Sequence, residues 1–212
     1  MTIQTYCLAF LAAYFLGSLP TGYLAGLARG VDIRTVGSKN IGATNVFRTV
    51  GKTLGIMVLL VDAYKGWLAV AWVAPCIGHY LSPDTKAGWL PVVAGMGAIL
   101  GHNYTCWLRF KGGKGIATSA GVFIGLVPGA FLIAFGAWII LFVVTRYVSV
   151  ASMGAAAVLP VATWYTKQDV PLTVVAGVVG AMAIIKHRKN LERLRAGTEH
   201  RFEFGRKKGV SQ

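Results

Sequence analysis

The chain has 212 residues, of which 55% are hydrophobic and only 13% charged, a composition outside that of ordinary soluble domains. Stretches such as Cys7 to Ala28 and Gly121 to Thr145 run at membrane-spanning length without an Asp, Glu, Lys, Arg or His, which excludes a single soluble fold and predicts an integral membrane protein. The 21 Lys and Arg against 7 Asp and Glu give a net charge of +14, yet 17 of those 21 lie in Arg29 to Lys52, Arg109 to Lys114 and Lys186 to Lys208, so cationic cytoplasmic loops explain them better than a nucleic-acid footprint.

A span needs about 20 residues to cross about 30 Å of hydrocarbon. Apolar runs fall at 5–27, 54–77, 89–104, 116–145, 149–165 and 171–186, separated by Gly, Pro or charge. No basic segment or small-residue cleavage pattern precedes the first run, so it is read as a span and not a signal peptide. The fourth run contains Val127-Pro128-Gly129, where Pro removes a backbone donor and Gly favours a turn. If the three basic stretches share the cytoplasmic side, 116–145 must cross twice. The expectation is an all-α, polytopic bundle of about seven transmembrane helices, N-terminus outside and C-terminus cytoplasmic, forming one domain over 1–212 with a basic tail over about 200–212. Cys7, Cys76 and Cys106 have no metal-ligand spacing, cannot all pair within the chain, and are expected to be buried filler.

Directly after the first run stands Gly37-Ser38-Lys39-Asn40-Ile41-Gly42-Ala43-Thr44-Asn45-Val46-Phe47-Arg48. Gly permits a tight loop whose N–H groups converge on an anion, hydroxyls donate, and Arg offers a fork to phosphate oxygens. A capped basic turn would read similarly. Lys111-Gly112-Gly113-Lys114-Gly115-Ile116-Ala117-Thr118 precedes the fourth run. It lacks the Gly-Lys-Ser/Thr of a Walker loop, so it is read either as a basic turn or as an anion-binding loop with Lys114 as a point charge. After the last run comes His187-Arg188-Lys189-Asn190-Leu191-Glu192-Arg193-Leu194-Arg195-Ala196-Gly197-Thr198-Glu199. On one helix His187 and Asn190 would share a face and address one ligand, although a juxtamembrane helix meeting anionic headgroups fits the same charges.

Glu199 reads as structural, pairing a cation and tying the tail to the bundle. Asp62 and Lys65 sit inside the second run, and their i,i+3 spacing suits a structural ion pair. Arg146, Ser149 and Ser152 follow the fifth span at the same cytoplasmic end. His79, His102 and His200 show no metal pattern, and Ser38 has no His/Asp triad around it.

These three motifs in this order, with GSLPTGYLAG in the first run and DAYKG in the second, resemble the bacterial acyl-phosphate-dependent glycerol-3-phosphate acyltransferases from about Leu16 to Glu199. The resemblance implies transfer of a fatty acyl group from acyl phosphate to the 1-hydroxyl of glycerol 3-phosphate, giving 1-acylglycerol 3-phosphate and inorganic phosphate in the bacterial inner membrane. No ligand cluster appears, so no cofactor and no metal are expected, and the charge positions speak for no nucleic acid; the partners are acyl phosphate, glycerol 3-phosphate and membrane lipid, with hand-over from an acyl-phosphate-producing enzyme left open. Gly42, Thr44 and Asn45 would take the acyl phosphate, and Ser38, Arg48, Lys114, Ser152, His187 and Asn190 would bind or orient glycerol 3-phosphate, with His187, Ser38 and Asn190 nearest the chemistry. Lys39 departs from the family, standing where many relatives have Gly. A transporter or flippase for an anionic metabolite is the alternative, weakened by the absence of an evident inverted repeat.

Overall fold

A computed structural model describes residues 1–83 and 88–203. The part of the expected basic tail from 204 onward lies outside the described residues. Every regular element is helical among them. By chain packing the molecule divides into two compact units, Met1–Phe131 and Leu132–Gln212.

The first unit opens with α1 (Ile3–Ser18) and α2 (Thr21–Leu27). One continuous span was expected here; Pro20, which cannot donate a backbone hydrogen bond, caps α2 and splits the run. α3 (Ala43–Thr49) follows the first polar loop, and α4 (Lys52–Leu68) runs through a π turn at Ala69–Val73 into α5 (Ala74–Leu81). α6 (Leu90–Asn103), a 3-10 turn at Cys106–Leu108 and α7 (Ile116–Leu126) complete the apolar framework. α1 and α6 meet through small residues, with Ala9, Ala13, Ala94 and Ala98 in a common core. A Cβ on Gly17, Gly97 or Gly101 would overlap a backbone carbonyl of the facing helix, so these glycines set the close approach. Gly66 and Gly121 do the same between α4 and α7.

α8 (Pro128–Thr145) begins immediately after Val127, where the 116–145 run was expected to break. The second unit continues with α9 (Val148–Lys167) and α10 (Val170–Lys186), then α11 (Arg188–Arg195). α8 leaves Leu132, Ile140, Val143 and Val144 exposed, as suits a helix facing hydrocarbon. α9 and α10 pack tightly at Gly180, where a Cβ would overlap the Ala156 carbonyl.

Helices cover the expected apolar runs, but they are unequal. Ile3–Leu27, Lys52–Leu81, Pro128–Thr145 and Val148–Lys167 are each long and apolar enough to cross a membrane, and Val170–Lys186 with Arg188–Arg195 makes a fifth if that pair, bent by 51°, counts as one span. α6 has 14 residues and α7 has 11, so a straight helix of either length falls short of the roughly 30 Å hydrocarbon core. The cysteines correct their expectation: all three are free thiols, Cys7 exposed and Cys76 and Cys106 half-buried.

Candidate active site

In the first unit, the 37–48 segment is built around Asn45. Its side chain, 2% exposed, accepts from the Ser38 N–H at 2.9 Å and donates toward the carbonyls of Ile33, Val36 and Asn40 at 3.1, 3.1 and 2.9 Å. The carboxamide thus reaches the loop's own backbone and shapes it. Asn40 Oδ1 accepts from the Gly42 N–H at 2.8 Å, and Gly42 caps α3. Gly37 turns the chain at a φ of 57°, directly over Asn45 Oδ1. Ser38 and Thr44 are exposed, while Arg48 is half-buried in the last turn of α3. Lys39 stands in the left-handed region at a φ of 58°, a conformation suited to glycine. Arg34, ahead of this segment in the chain, is engaged by Asp32 at 2.7 Å, and its hydrogen bonds lower the Asp32 carboxyl to about 2.

Ile33, Ile41, Val46 and Val58 share a core with Leu108, three residues ahead of the second loop, Lys111 to Gly115. The second loop is docked on the end of α6: the Gly113 N–H donates to the His102 carbonyl at 3.0 Å and the Gly112 N–H to the Asn103 carbonyl at 3.2 Å. Lys114 is half-buried there. An apolar groove of about 290 Å³ opens nearby, lined by Leu19, Pro20, Tyr23, Leu24, Trp107 and Leu108.

Asp62 and Lys65 are 1% and 3% exposed and pair at 2.8 Å. Two neighbours on that carboxylate lie far away in sequence. Thr21 donates to Asp62 Oδ1 at 2.6 Å, and His102 Nδ1 stands 3.5 Å from the same oxygen. Lys65 also donates to the Leu19 carbonyl at 3.1 Å. The signal available for His102 was an ionisable ring at the end of an apolar helix, just before a glycine loop.

In the second unit, Glu199 gathers one cluster. Its Oε1 accepts from Ser149 Oγ at 3.0 Å and Asn190 Nδ2 at 2.8 Å, and its Oε2 from Arg193 Nε at 2.7 Å. Burial pushes the Glu199 carboxyl up, but hydrogen bonds from Asn190, Arg193 and Ser149, with the Arg193 charge, outweigh it and hold it below the usual carboxylate range. His187 and Asn190 do not share one continuous helix as expected; α10 ends and α11 begins at His187. The junction carries the ring inward, 3% exposed, with Nδ1 2.7 Å from the Ala183 carbonyl. A carbonyl can only accept, so Nδ1 is the proton-bearing nitrogen in this contact. Ser152, one turn beyond Ser149 on α9, is buried and accepts from Trp138 Nε1 at 3.3 Å, a partner that spacing does not reveal.

Residues 7–197 match the family model described as glycerol-3-phosphate acyltransferase. The chain belongs to the glycerol-3-phosphate acyltransferase family. It is 45% identical to a glycerol-3-phosphate acyltransferase of Geotalea daltonii, covering 91% of this chain and 95% of that one, and 47% identical to one of Geobacter sulfurreducens over 90% and 94%. Among solved structures, this acyltransferase is similar to PlsY (YgiH), an integral membrane glycerol 3-phosphate acyltransferase. The glycerol 3-phosphate form of that protein matches with a TM-score of 0.83 at 37% identity, over 93% of this chain and 96% of that one. Its lysophosphatidic acid form matches at 0.80 and 36%, over 94% and 96%.

Proposed function

We propose that this acyltransferase moves a fatty acyl group from acyl phosphate to the 1-hydroxyl of glycerol 3-phosphate, releasing inorganic phosphate and 1-acylglycerol 3-phosphate. The observation carrying the reading is the similarity, over nearly the whole chain, to an integral membrane enzyme solved in glycerol 3-phosphate and lysophosphatidic acid forms. The acyl-phosphate donor rests on the resemblance carried by the three motifs. We assign the donor phosphate to Gly42, Thr44 and the backbone that Asn45 shapes, and glycerol 3-phosphate to Ser38, Arg48, Lys114, Ser152, His187 and Asn190. The apolar groove at Leu19 to Leu24 receives part of the acyl tail.

The chemistry asks little of a covalent catalyst. Phosphate is already a good leaving group, so the enzyme must position the hydroxyl, accept its proton and stabilise the oxyanion. The hydroxyl oxygen attacks the acyl carbon, the bond to phosphate breaks, and the proton passes to His187 Nε2. The protein works in the bacterial inner membrane with about seven crossings, N-terminus outside, its polar motifs on the cytoplasmic side, and receives acyl phosphate from the enzyme that makes it. Short α6 and α7 fit that count as spans buried within protein.

The test is phosphate release by detergent-purified protein given palmitoyl phosphate, with and without glycerol 3-phosphate, alongside mass detection of the lipid. Acceptor-dependent release matched by product is expected; product from palmitoyl-CoA and none from palmitoyl phosphate overturns the donor assignment. His187→Gln separates base from binder, since near-normal turnover with only a raised Michaelis constant would sink the base role.

A further inference from the structure

Buried charge in α4 is a poor way to gain stability, because desolvating Asp62 and Lys65 offsets most of their attraction and an apolar pair of the same volume would serve as well. Ionisable groups within a span persist where they do something else. Here the cluster touches two polar segments of the first unit. At one end Thr21 and the Leu19 carbonyl lie at the α1–α2 break. At the other, His102 reaches the glycine loop: its carbonyl accepts from the Gly113 N–H, and a Cβ on Gly113 would overlap its ring Nε2. The ring therefore lies between the Asp62 carboxylate and the backbone of the residue preceding Lys114. His102 and Asp62 are 6% and 1% exposed, and the ring's neighbours are the carboxylate on one side and the loop backbone on the other.

We propose that His102, held by Asp62, is a positioning residue: its ring is the surface on which Gly113 seats, and that seat fixes where Lys114 presents its ammonium group to the phosphate of glycerol 3-phosphate. The inference rests on the reading of Lys114 as a phosphate ligand. Gly113 is required because any side chain would displace the ring, and Gly112 because a Cβ there would overlap the His102 carbonyl. Asn103 supports the same seat, its Oδ1 lying where a Cβ on Gly115 would go.

The test is steady-state kinetics on detergent-purified His102→Leu, Gly113→Ala, Lys114→Ala and the double variant His102→Leu/Lys114→Ala, each checked for monodisperse elution and helical circular dichroism. His102→Leu and Gly113→Ala should each raise the Michaelis constant for glycerol 3-phosphate about fivefold or more, with that for acyl phosphate changed less than about twofold. In the Lys114→Ala background, His102→Leu should add nothing further, because the group it positions is gone. A folded His102→Leu with a lowered melting temperature and an unchanged constant for glycerol 3-phosphate overturns the proposal, as does full additivity in the double variant. If His102→Leu does not fold, Gly113→Ala, which leaves the buried charges in place, decides on the same criterion. An unchanged constant in Lys114→Ala alone refutes the phosphate-ligand reading, and the inference falls with it.

Discussion

Glu199→Gln keeps the shape of the side chain and removes its charge, which isolates what the carboxylate does in the second unit. Oε1 takes Ser149 and Asn190 while Oε2 takes Arg193, so a glutamine oxygen at Oε1 retains two neutral bonds and its NH2 group meets the Arg193 donor. The Asn190 bond, buried at both ends, weakens by about 1 kcal/mol when its acceptor loses charge. Arg193 is 34% exposed, so its pair is screened and adds only about 0.5–1 kcal/mol. A loss near 2 kcal/mol follows, read as a fall in the thermal unfolding midpoint of the detergent-solubilised protein. The pH dependence gives an independent check. Because the folded carboxyl titrates below its unfolded value, its contribution is complete above the unfolded pKa of about 4.3 and disappears as pH falls through the lower folded value. The gap between wild type and variant should stay constant from about pH 8 to 5 and close under stronger acid. Equal midpoints at neutral pH, or a gap that closes between pH 7 and 6, would refute the account of Glu199 as the ionised centre of this cluster.

Lys39→Gly should raise stability by about 0.5–1 kcal/mol, because the left-handed backbone that penalises a side chain suits glycine; Lys39→Ala should not, and chemical unfolding compares them. Gly121→Ala should cost about 1–3 kcal/mol, since the new methyl would overlap the Ala63 carbonyl and part α4 from α7, whereas Gly136→Ala in α8, with open space around it, should be neutral or slightly stabilising by the same melting assay. Asn45→Ala leaves the carbonyls of Ile33, Val36 and Asn40 without their common donor; the Michaelis constant for acyl phosphate should rise about tenfold or more in protein that still elutes as a folded species.

Hydropathy and the proline positions located the helices well, because length and apolarity are one-dimensional properties. Val127-Pro128 marks a helix boundary for a reason visible in composition: Pro cannot continue the hydrogen-bond ladder. The same rule applied to Pro20 would have split the first run, but its apolar flanks hide the break. Asp62 and Lys65 announced each other through helical spacing, whereas Thr21 and His102 reach them from 41 residues upstream and 40 downstream, contacts no periodicity encodes. Asn45 illustrates another limit. Its residue type suits a ligand, but only coordinates reveal that the carboxamide serves the carbonyls of its own loop. Helical spacing put His187 and Asn190 on one face, while the bend at His187 gives the ring a separate backbone acceptor.

The bend at Pro20 bears on the order in which the chain is assembled in the bilayer. The Ser18 carbonyl receives the Thr105 hydroxyl at 2.5 Å across 87 residues, and the Leu19 carbonyl receives Lys65 across 46. During synthesis the first hydrophobic segment leaves the ribosome long before either donor exists, and hydrocarbon offers no replacement. Its kink therefore stays near water or headgroups until α4 and then the end of α6 arrive. The helix that enters first is among the last to take its final depth.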